Sequence, residues 1–250
     1  MPIDYNNKLN ILKKKDSGST LITVVIVVAF ISILATILLY LVSENYKTKV
    51  YDMHAKESFY SAEEVVELMK ATLTKDVAKA SKPAFDRVII DYAQSDNQDV
   101  RSTTYFTEFK NKFDTIMSNH FTPVADESVK QRFIQSFFPG AYNITDNSFT
   151  IEINGRTLSC VIADSFGFAS AYQTVTSIYD VDTGKVESYY IKDFKITVTD
   201  ITDSNNQYVS IIETSFEITP PMLNFGDEIK NNDKELDYGN SVKYYKFKKE

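Results

Sequence analysis

The stretch "KKKDSGSTLITVVIVVAFISILATILLYLVSEN", from Lys13 to Asn45, decides how the chain is organised. No charged residue lies between Asp16 and Glu44. The run from Leu21 to Val42 is apolar except for one Ser and two Thr, whose hydroxyls can bond to the helix's own carbonyls. About 20 apolar residues span a bilayer as a helix. The stretch therefore predicts a transmembrane segment over 19–43, with Leu21 and Val42 as its apolar limits.

The run differs from a secretory signal peptide at both ends. It is longer than the ~7–15 apolar residues of a signal core, and no Ala-x-Ala-like site follows Val42. Three lysines, Lys13 to Lys15, precede the run, whereas Glu44 opens its other flank. The positive-inside rule then places residues 1–18 in the cytoplasm and residues 44–250 outside. We expect a single-pass protein of the cytoplasmic membrane with its head outside.

The N-terminal end of the apolar run directly follows a basic segment. A short basic leader ends at Gly18, and Ser19 starts the apolar run directly. This arrangement resembles the N-terminal signal of type IV prepilins and type II secretion pseudopilins, over roughly Lys13 to Val42. The resemblance implies that a prepilin peptidase cuts between Gly18 and Ser19 and methylates the new N-terminus at Ser19. It also implies that 1–18 is a leader peptide and that the apolar run stays on the mature subunit.

One position departs from the family pattern. Most family members carry Glu at the fifth mature position, where it pairs with the N-terminal amine of a neighbouring subunit; this chain has Thr23. The apolar run also lacks the Gly and Pro that break the helix in many major pilins. A missing Glu is typical of the minor pilin at the filament tip. The implied partners are other major and minor pilins, the pilus assembly platform and the membrane, and the implied destination is a pilus or the cell surface.

A long helix is predicted beyond the membrane. No Gly or Pro occurs from Ser19 to Lys82, and we expect Pro83 to end the helix. The outer part, 44–82, carries apolar residues at three- and four-residue steps. They are Tyr46, Val50, Met53, Phe59, Tyr60, Val65, Leu68, Met69, Leu73 and Val77. The segment "YSAEE" from Tyr60 resembles a segment of minor pilins, which implies a pilin-like lollipop shape; a coiled-coil stalk is the alternative.

The distal residues 83–226 predict a globular α+β head. Spaced apolar positions indicate further helices up to Pro139, and Asp126 is a candidate cap for the last of them. Alternating strands follow, with Asn154-Gly155 as the strongest hairpin signal. We expect this antiparallel sheet to cover the outer part of the long helix. The tail 227–250 is polar, and we favour a solvated terminus over an edge strand.

Composition narrows the function classes. The chain has 250 residues and a net charge of −7; without the four Lys and two Asp of residues 1–18, 23 basic residues face 32 acidic ones, or −9. An acidic body argues against nucleic acid as a partner. The single Cys160 predicts a buried packing residue rather than a disulfide or reactive thiol.

No catalytic or metal-binding set is recognisable. The two histidines, His54 and His120, lack metal-ligand spacing. The pattern from Asp180 through Asp182 to Gly184 lacks the bidentate Glu of a calcium loop, so we interpret it as a hairpin turn. We expect no cofactor, no metal and no enzymatic activity.

Two hypotheses remain for the function. The first is a structural minor pilin or pseudopilin of a type IV pilus-like or type II secretion-like filament. The alternative is a single-pass membrane protein with an extracytoplasmic binding or sensor domain. The mature N-terminus separates them, because the first predicts Ser19 and the second Met1.

Overall fold

The computed structural model describes residues 5–92, 98–124, 126–167, 175–179, 186–202, 208–221 and 238–249. The chain divides into two compact units, Met1–His54 and Ala55–Glu250. The first unit is helical in its described part, and the second combines helices with an antiparallel sheet. The predicted α+β class is confirmed.

The first helix, α1, runs over Tyr5–Tyr92 and includes Pro83 in its interior. The prediction that Pro83 ends the helix is therefore wrong. A proline inside a helix costs about 3 kcal/mol because one hydrogen bond is lost and its ring crowds the preceding turn. Ala80 and Ala84 are fully buried on either side of Pro83, and so is Val88 one turn further. Burial of this face offsets the penalty, since one fully buried Val side chain contributes ~1.5–3 kcal/mol.

The head segment of α1 buries one face in the core. Its buried apolar residues are Ala62, Val65, Val66, Met69, Leu73, Val77, Ala80, Ala84 and Val88. The predicted stripe is thus confirmed from Val65 onward, but Tyr46, Met53 and Tyr60 are exposed. The reason lies in the five-residue step from Tyr60 to Val65, which turns about 140° around a helix and places the two side chains on different faces.

Two shorter helices follow: α2 over Gln98–Phe121 and α3 over Val129–Phe137. The N-cap of α3 is Ser128, whose hydroxyl accepts from the Gln131 backbone while the Gln131 side chain accepts from the Ser128 backbone. This reciprocal capping box satisfies two N–H groups at the helix start. The candidate Asp126 is not the cap, because Ser128 has Gln131 at the required spacing of three residues.

The sheet has seven strands in the described part of the chain: β1 Tyr142–Thr145, β2 Ser148–Ile153, β3 Arg156–Ile162, β4 Val175–Tyr179, β5 Val186–Asp200, β6 Tyr208–Ile218 and β7 Val242–Lys249. Their order is β1-β2-β3-β5-β6-β7, with β4 paired to β5 beyond the end of β3. All these pairs are antiparallel. A short 3-10 helix, Asp164–Phe166, follows β3.

The predicted hairpin at Asn154-Gly155 is confirmed. Ile153 faces Arg156 across it, and both turn residues have positive φ, 50° at Asn154 and 76° at Gly155. Two positive φ angles define the turn type that matches the twist of a two-stranded ribbon. The strands on either side of the hairpin turn predicted at 180–184 also pair, as β4–β5, and β5 pairs in turn with β6. The turn at 180–184 itself lies outside the described residues.

The tail contains a strand rather than a solvated terminus. Strand β7 pairs with β6 from Val242 opposite Ile218 to Lys249 opposite Ile212. The prediction failed because the many lysines give the segment a polar composition, which obscures the alternation of buried and exposed side chains. Val242 is buried and the Tyr244 ring lies 5.4 Å from that of Phe216, whereas Lys243 between them is exposed. The edge-strand alternative is the one that the structure shows.

The described core residues all belong to the second unit, Ala55–Glu250. Within the described residues, every buried side chain lies at or beyond Ser58. We expect a fragment comprising residues 44–250 to be soluble and folded, because it retains the whole core. Circular dichroism in a denaturant titration should show one cooperative transition. Aggregation of the fragment without detergent would instead show that the exposed residues Tyr46, Met53 and Tyr60 need a partner chain.

Candidate membrane segment, processing site and polar clusters of the head

The apolar run is exposed on all sides in α1. From Leu21 to Val42 its large apolar side chains are between 43% and 71% accessible, with Leu34 and Leu39 at the two extremes. A helix that is apolar all round needs an apolar environment rather than one covered face. This is the one described helix that is long and apolar enough to cross a membrane. The transmembrane prediction for Leu21 to Val42 agrees with this finding by length and composition.

Two polar side chains inside the run have their partners within the helix. The Ser32 hydroxyl donates to the Val28 carbonyl and the Thr36 hydroxyl to the Ser32 carbonyl, both at 2.8 Å. Such bonds reduce the penalty of placing a hydroxyl in hydrocarbon. The prediction that these hydroxyls bond back to the helix is confirmed.

The predicted processing site lies at the start of the run. Gly18 and Ser19 both belong to α1, and Thr23 is an exposed residue one turn further. Beyond the other end, Glu44 is the first charged residue and pairs with Lys47 at 3.0 Å. The run is therefore bounded by the basic leader on one side and by an exposed ion pair on the other.

A buried carboxylate in the head was not predicted from sequence. Asp76 on α1 is fully buried, and its Oδ2 lies 2.6 Å from Nε2 of His120 at the end of α2. Lys79 approaches the other oxygen at 3.1 Å from a side chain that is half exposed. This contact between Asp76 and His120 links two helices. Asp76 and His120 are 44 residues apart, and no sequence spacing signals such a contact.

The residues around Asp76 and His120 suit a structural contact rather than a metal site. The His120 ring lies 4.7 Å from the Phe137 ring of α3, which fixes its orientation. No group of three His, Cys, Asp or Glu able to hold a metal occurs among the described residues. His54, the other histidine, is a half-buried residue of α1.

A second polar cluster joins α1 to the β2–β3 hairpin. Arg156 forms ion pairs with Glu57 of α1 and Asp200 of β5. Burial raises the pKa of Asp200, but hydrogen bonds from Thr202 and Arg156 outweigh it, so the pKa lies below its usual value. The Asn154 amide also donates to Glu64 at 2.7 Å. The hairpin thus holds one flank of the helix.

Strand β7 holds the other flank. The Tyr244 hydroxyl donates to Glu67 at 2.7 Å, and the Lys70 ammonium lies 4.8 Å from the centre of the Tyr244 ring. A cation over an aromatic face is attracted by the ring quadrupole. Polar contacts therefore connect the head segment of α1 to the β2–β3 hairpin and to β7, in addition to the packing of its buried face.

Two further sequence predictions concern Cys160 and the turn at 180–184. Cys160 is buried in β3, and burial raises the pKa of its thiol to about 12, so it is a protonated packing residue at neutral pH. The turn at 180–184, considered for calcium, lies outside the described residues. Comparison with protein-family models, characterised proteins and solved structures gave no match to this chain.

Proposed function

We propose that the chain is a structural minor pilin or pseudopilin of a type IV pilus-like or type II secretion-like filament. One observation carries the proposal: a single helix, α1, contains both the exposed apolar run and the buried face at Ala62 to Val88. A subunit that leaves the bilayer to enter a filament needs its anchor and its folded head on one continuous element. If the apolar run were the core of a secretory signal peptide, its cleavage would remove the anchor. A cut after Gly18 leaves the apolar run on the mature protein.

The processing step follows from the basic leader. The prepilin peptidase would hydrolyse the bond between Gly18 and Ser19 on the cytoplasmic side and methylate the Ser19 amine. Glycine suits the residue before the cut because it has no side chain to obstruct a narrow peptidase groove. The mature subunit would then stay in the cytoplasmic membrane until other pilins and the assembly platform draw it into a filament at the cell surface.

The residue at 23 supports a tip or initiating position. A carboxylate within the membrane costs about 2.5–3.5 kcal/mol. A subunit in the filament body recovers that energy when the carboxylate meets a neighbour's N-terminal amine, but the first subunit has no neighbour above it. Thr23 avoids the penalty, and so this chain fits the first position better than the repeated ones.

Processing is tested on protein purified from its native host. N-terminal mass spectrometry should find Ser19, methylated, as the first residue of the membrane-bound and the assembled protein. Gly18→Leu should abolish the cut and leave Met1, because the bulky side chain obstructs the scissile bond. Asn10→Leu places the same leucine side chain away from the bond and should be cut normally.

An intact leader on the wild-type protein in cells with an active prepilin peptidase would overturn the proposal. The single-pass protein with an extracytoplasmic binding or sensor domain would then be the better description. Cleavage of Gly18→Leu at the same bond would equally contradict the assigned site.

A further inference from the structure

We infer that Tyr40 and Tyr46 form a two-residue collar that binds the headgroup layer of the outer leaflet and sets the depth of α1 in the bilayer. The inference rests on the proposed function in placing the apolar run in a membrane and in placing its C-terminal end at the outer leaflet. It locates the outer membrane boundary at Tyr40, two residues before the apolar limit Val42.

The spacing of the aromatic residues carries the first step. Between Asn6 and Leu39 the sequence has no Tyr, and its one aromatic residue is Phe30, near the middle of the run. Tyrosines then follow at positions 40, 46 and 51, and Tyr51 lies about 16 Å beyond Tyr40 along the axis, outside the headgroup layer. Phenylalanine is wholly apolar, whereas tyrosine combines an apolar ring with a hydroxyl and is enriched where a membrane meets water. This order matches the change from hydrocarbon to headgroups along the helix.

The rise of the helix gives the same boundary. From Thr20 to Tyr40 there are 20 residue steps, or about 30 Å of helix, and the hydrocarbon core is about 30 Å thick. Tyr46 lies about 9 Å further along the axis. The headgroup layer adds roughly 5–8 Å on each side. Tyr40 therefore marks the inner edge of this layer. The backbone of Tyr46 lies just past the outer edge, and its side chain, tilted toward the helix N-terminus, reaches back to that edge.

The hydroxyl groups need the partners that headgroups supply. The side chains of Tyr40 and Tyr46 are 64% and 70% exposed. Within the described part of the chain neither hydroxyl has a hydrogen-bond partner. Ser32 and Thr36 satisfy their hydroxyls on the helix backbone, but a phenol stands too far from it to do the same. Phosphate and carbonyl oxygens of lipids are acceptors at the right depth.

The angular positions favour lipid over a second helix. Six residues turn a helix by about 600°, which leaves the two tyrosines about 120° apart around the axis. A partner helix contacts one stripe, with residues three or four apart on a single face. Side chains on different faces suit a partner that surrounds the helix, as a lipid layer does.

The absence of tryptophan makes the depth measurable, because each introduced Trp is the only one in the chain. We would reconstitute the full chain into vesicles of phosphatidylcholine and phosphatidylglycerol carrying bromine near the ester end or near the terminal methyl of the acyl chains. The variants are Tyr40→Trp and Tyr46→Trp. Phe30→Trp serves as the control for the bilayer centre, and Tyr60→Trp as the control for water.

Distinct quenching patterns are expected. Emission of the Tyr40→Trp variant should be blue-shifted and quenched more by ester-end bromine than by terminal bromine, and Phe30→Trp should show the reverse order. Tyr46→Trp should be quenched by ester-end bromine and only in part by aqueous iodide. Tyr60→Trp should respond to iodide alone. A Tyr46→Trp variant that matches Tyr60→Trp, or a Tyr40→Trp variant that matches Phe30→Trp, would overturn the collar.

The measurement separates failure of the collar from failure of the filament proposal. If Tyr40→Trp and Tyr46→Trp show the expected patterns but the protein from its native host keeps its leader, the collar stands and the pilin assignment is removed. If bromine at neither depth quenches Phe30→Trp, the chain does not insert, and the collar is wrong whatever the N-terminus shows.

Discussion

Phe133→Ala in the fragment 44–250 is expected to lower the free energy of unfolding by about 3–5 kcal/mol. The Phe133 ring is fully buried in α3, and its centroid lies 4.6 Å from that of Phe137, 5.1 Å from Phe166 and 5.5 Å from Phe121. It also faces Phe194 of β5 at 6.4 Å, so it connects helices to sheet. Removing the ring leaves a cavity. Its walls are aromatic rings on several helices and strands, which cannot all move inward to fill it.

Chemical denaturation followed by circular dichroism measures this loss. The midpoint should fall while the slope of the transition stays the same, since the surface exposed on unfolding hardly changes. Gln135→Ala in the same helix is the matched control because Gln135 is exposed, and its effect should stay within about 0.5 kcal/mol. A Phe133→Ala variant as stable as this control would show that α3 is not part of the cooperative core.

His120→Ala should destabilise the same fragment by about 3 kcal/mol, because removing one partner of a buried pair leaves the other without compensation. Among the described residues, Asp76 would retain the Lys79 ammonium, which is half exposed and shared with water. Lys79→Ala is the control, and we expect it to change stability by less than about 1 kcal/mol, because the half-exposed Lys79 ammonium is already hydrated and Asp76 keeps its contact with His120.

A double variant tests the reason for that loss. Asp76→Leu combined with His120→Leu removes both polar groups, and replacing a buried pair with apolar residues is often neutral. The double variant should recover most of the stability lost in His120→Ala. If it is less stable than His120→Ala, the loss arises from packing around the imidazole ring rather than from the stranded carboxylate.

Local signals in the sequence were sufficient to predict features formed by residues that are close together in the chain. Asn154-Gly155 fixes its hairpin because both residues tolerate positive φ, and the Gly-free run before Pro83 fixes a helix. In the same way, the uncharged run before Glu44 defines a segment long and apolar enough to span a membrane. Each of these features depends on residues within a few turns or steps of one another.

Features that depend on distant contacts escaped prediction. Pro83 stays helical because residues on both sides of it are buried by the head, which local propensity does not contain. Strand β7 forms because β6 offers it an edge, although its lysines give it a polar composition. The pair Asp76–His120 exists only once α1 and α2 are side by side. Of the candidate functional residues, those at 18, 19 and 23 come from a resemblance, and their roles stay predictions.

The contact between Tyr244 and Glu67 has a consequence for synthesis of the protein on the ribosome. The two residues are 177 positions apart in the chain. At about 5–20 residues per second, Glu67 waits roughly 10–35 s before Tyr244 is made. Strand β6 ends at Ile218 and β7 begins at Val242, so near the end of this interval, for roughly 1–5 s, the β6 edge that β7 covers is unpaired. An open strand edge is a template for wrong pairing. A nascent chain already anchored by its apolar run would thus hold an unfinished sheet, and this is the stage at which a chaperone has the most surface to bind.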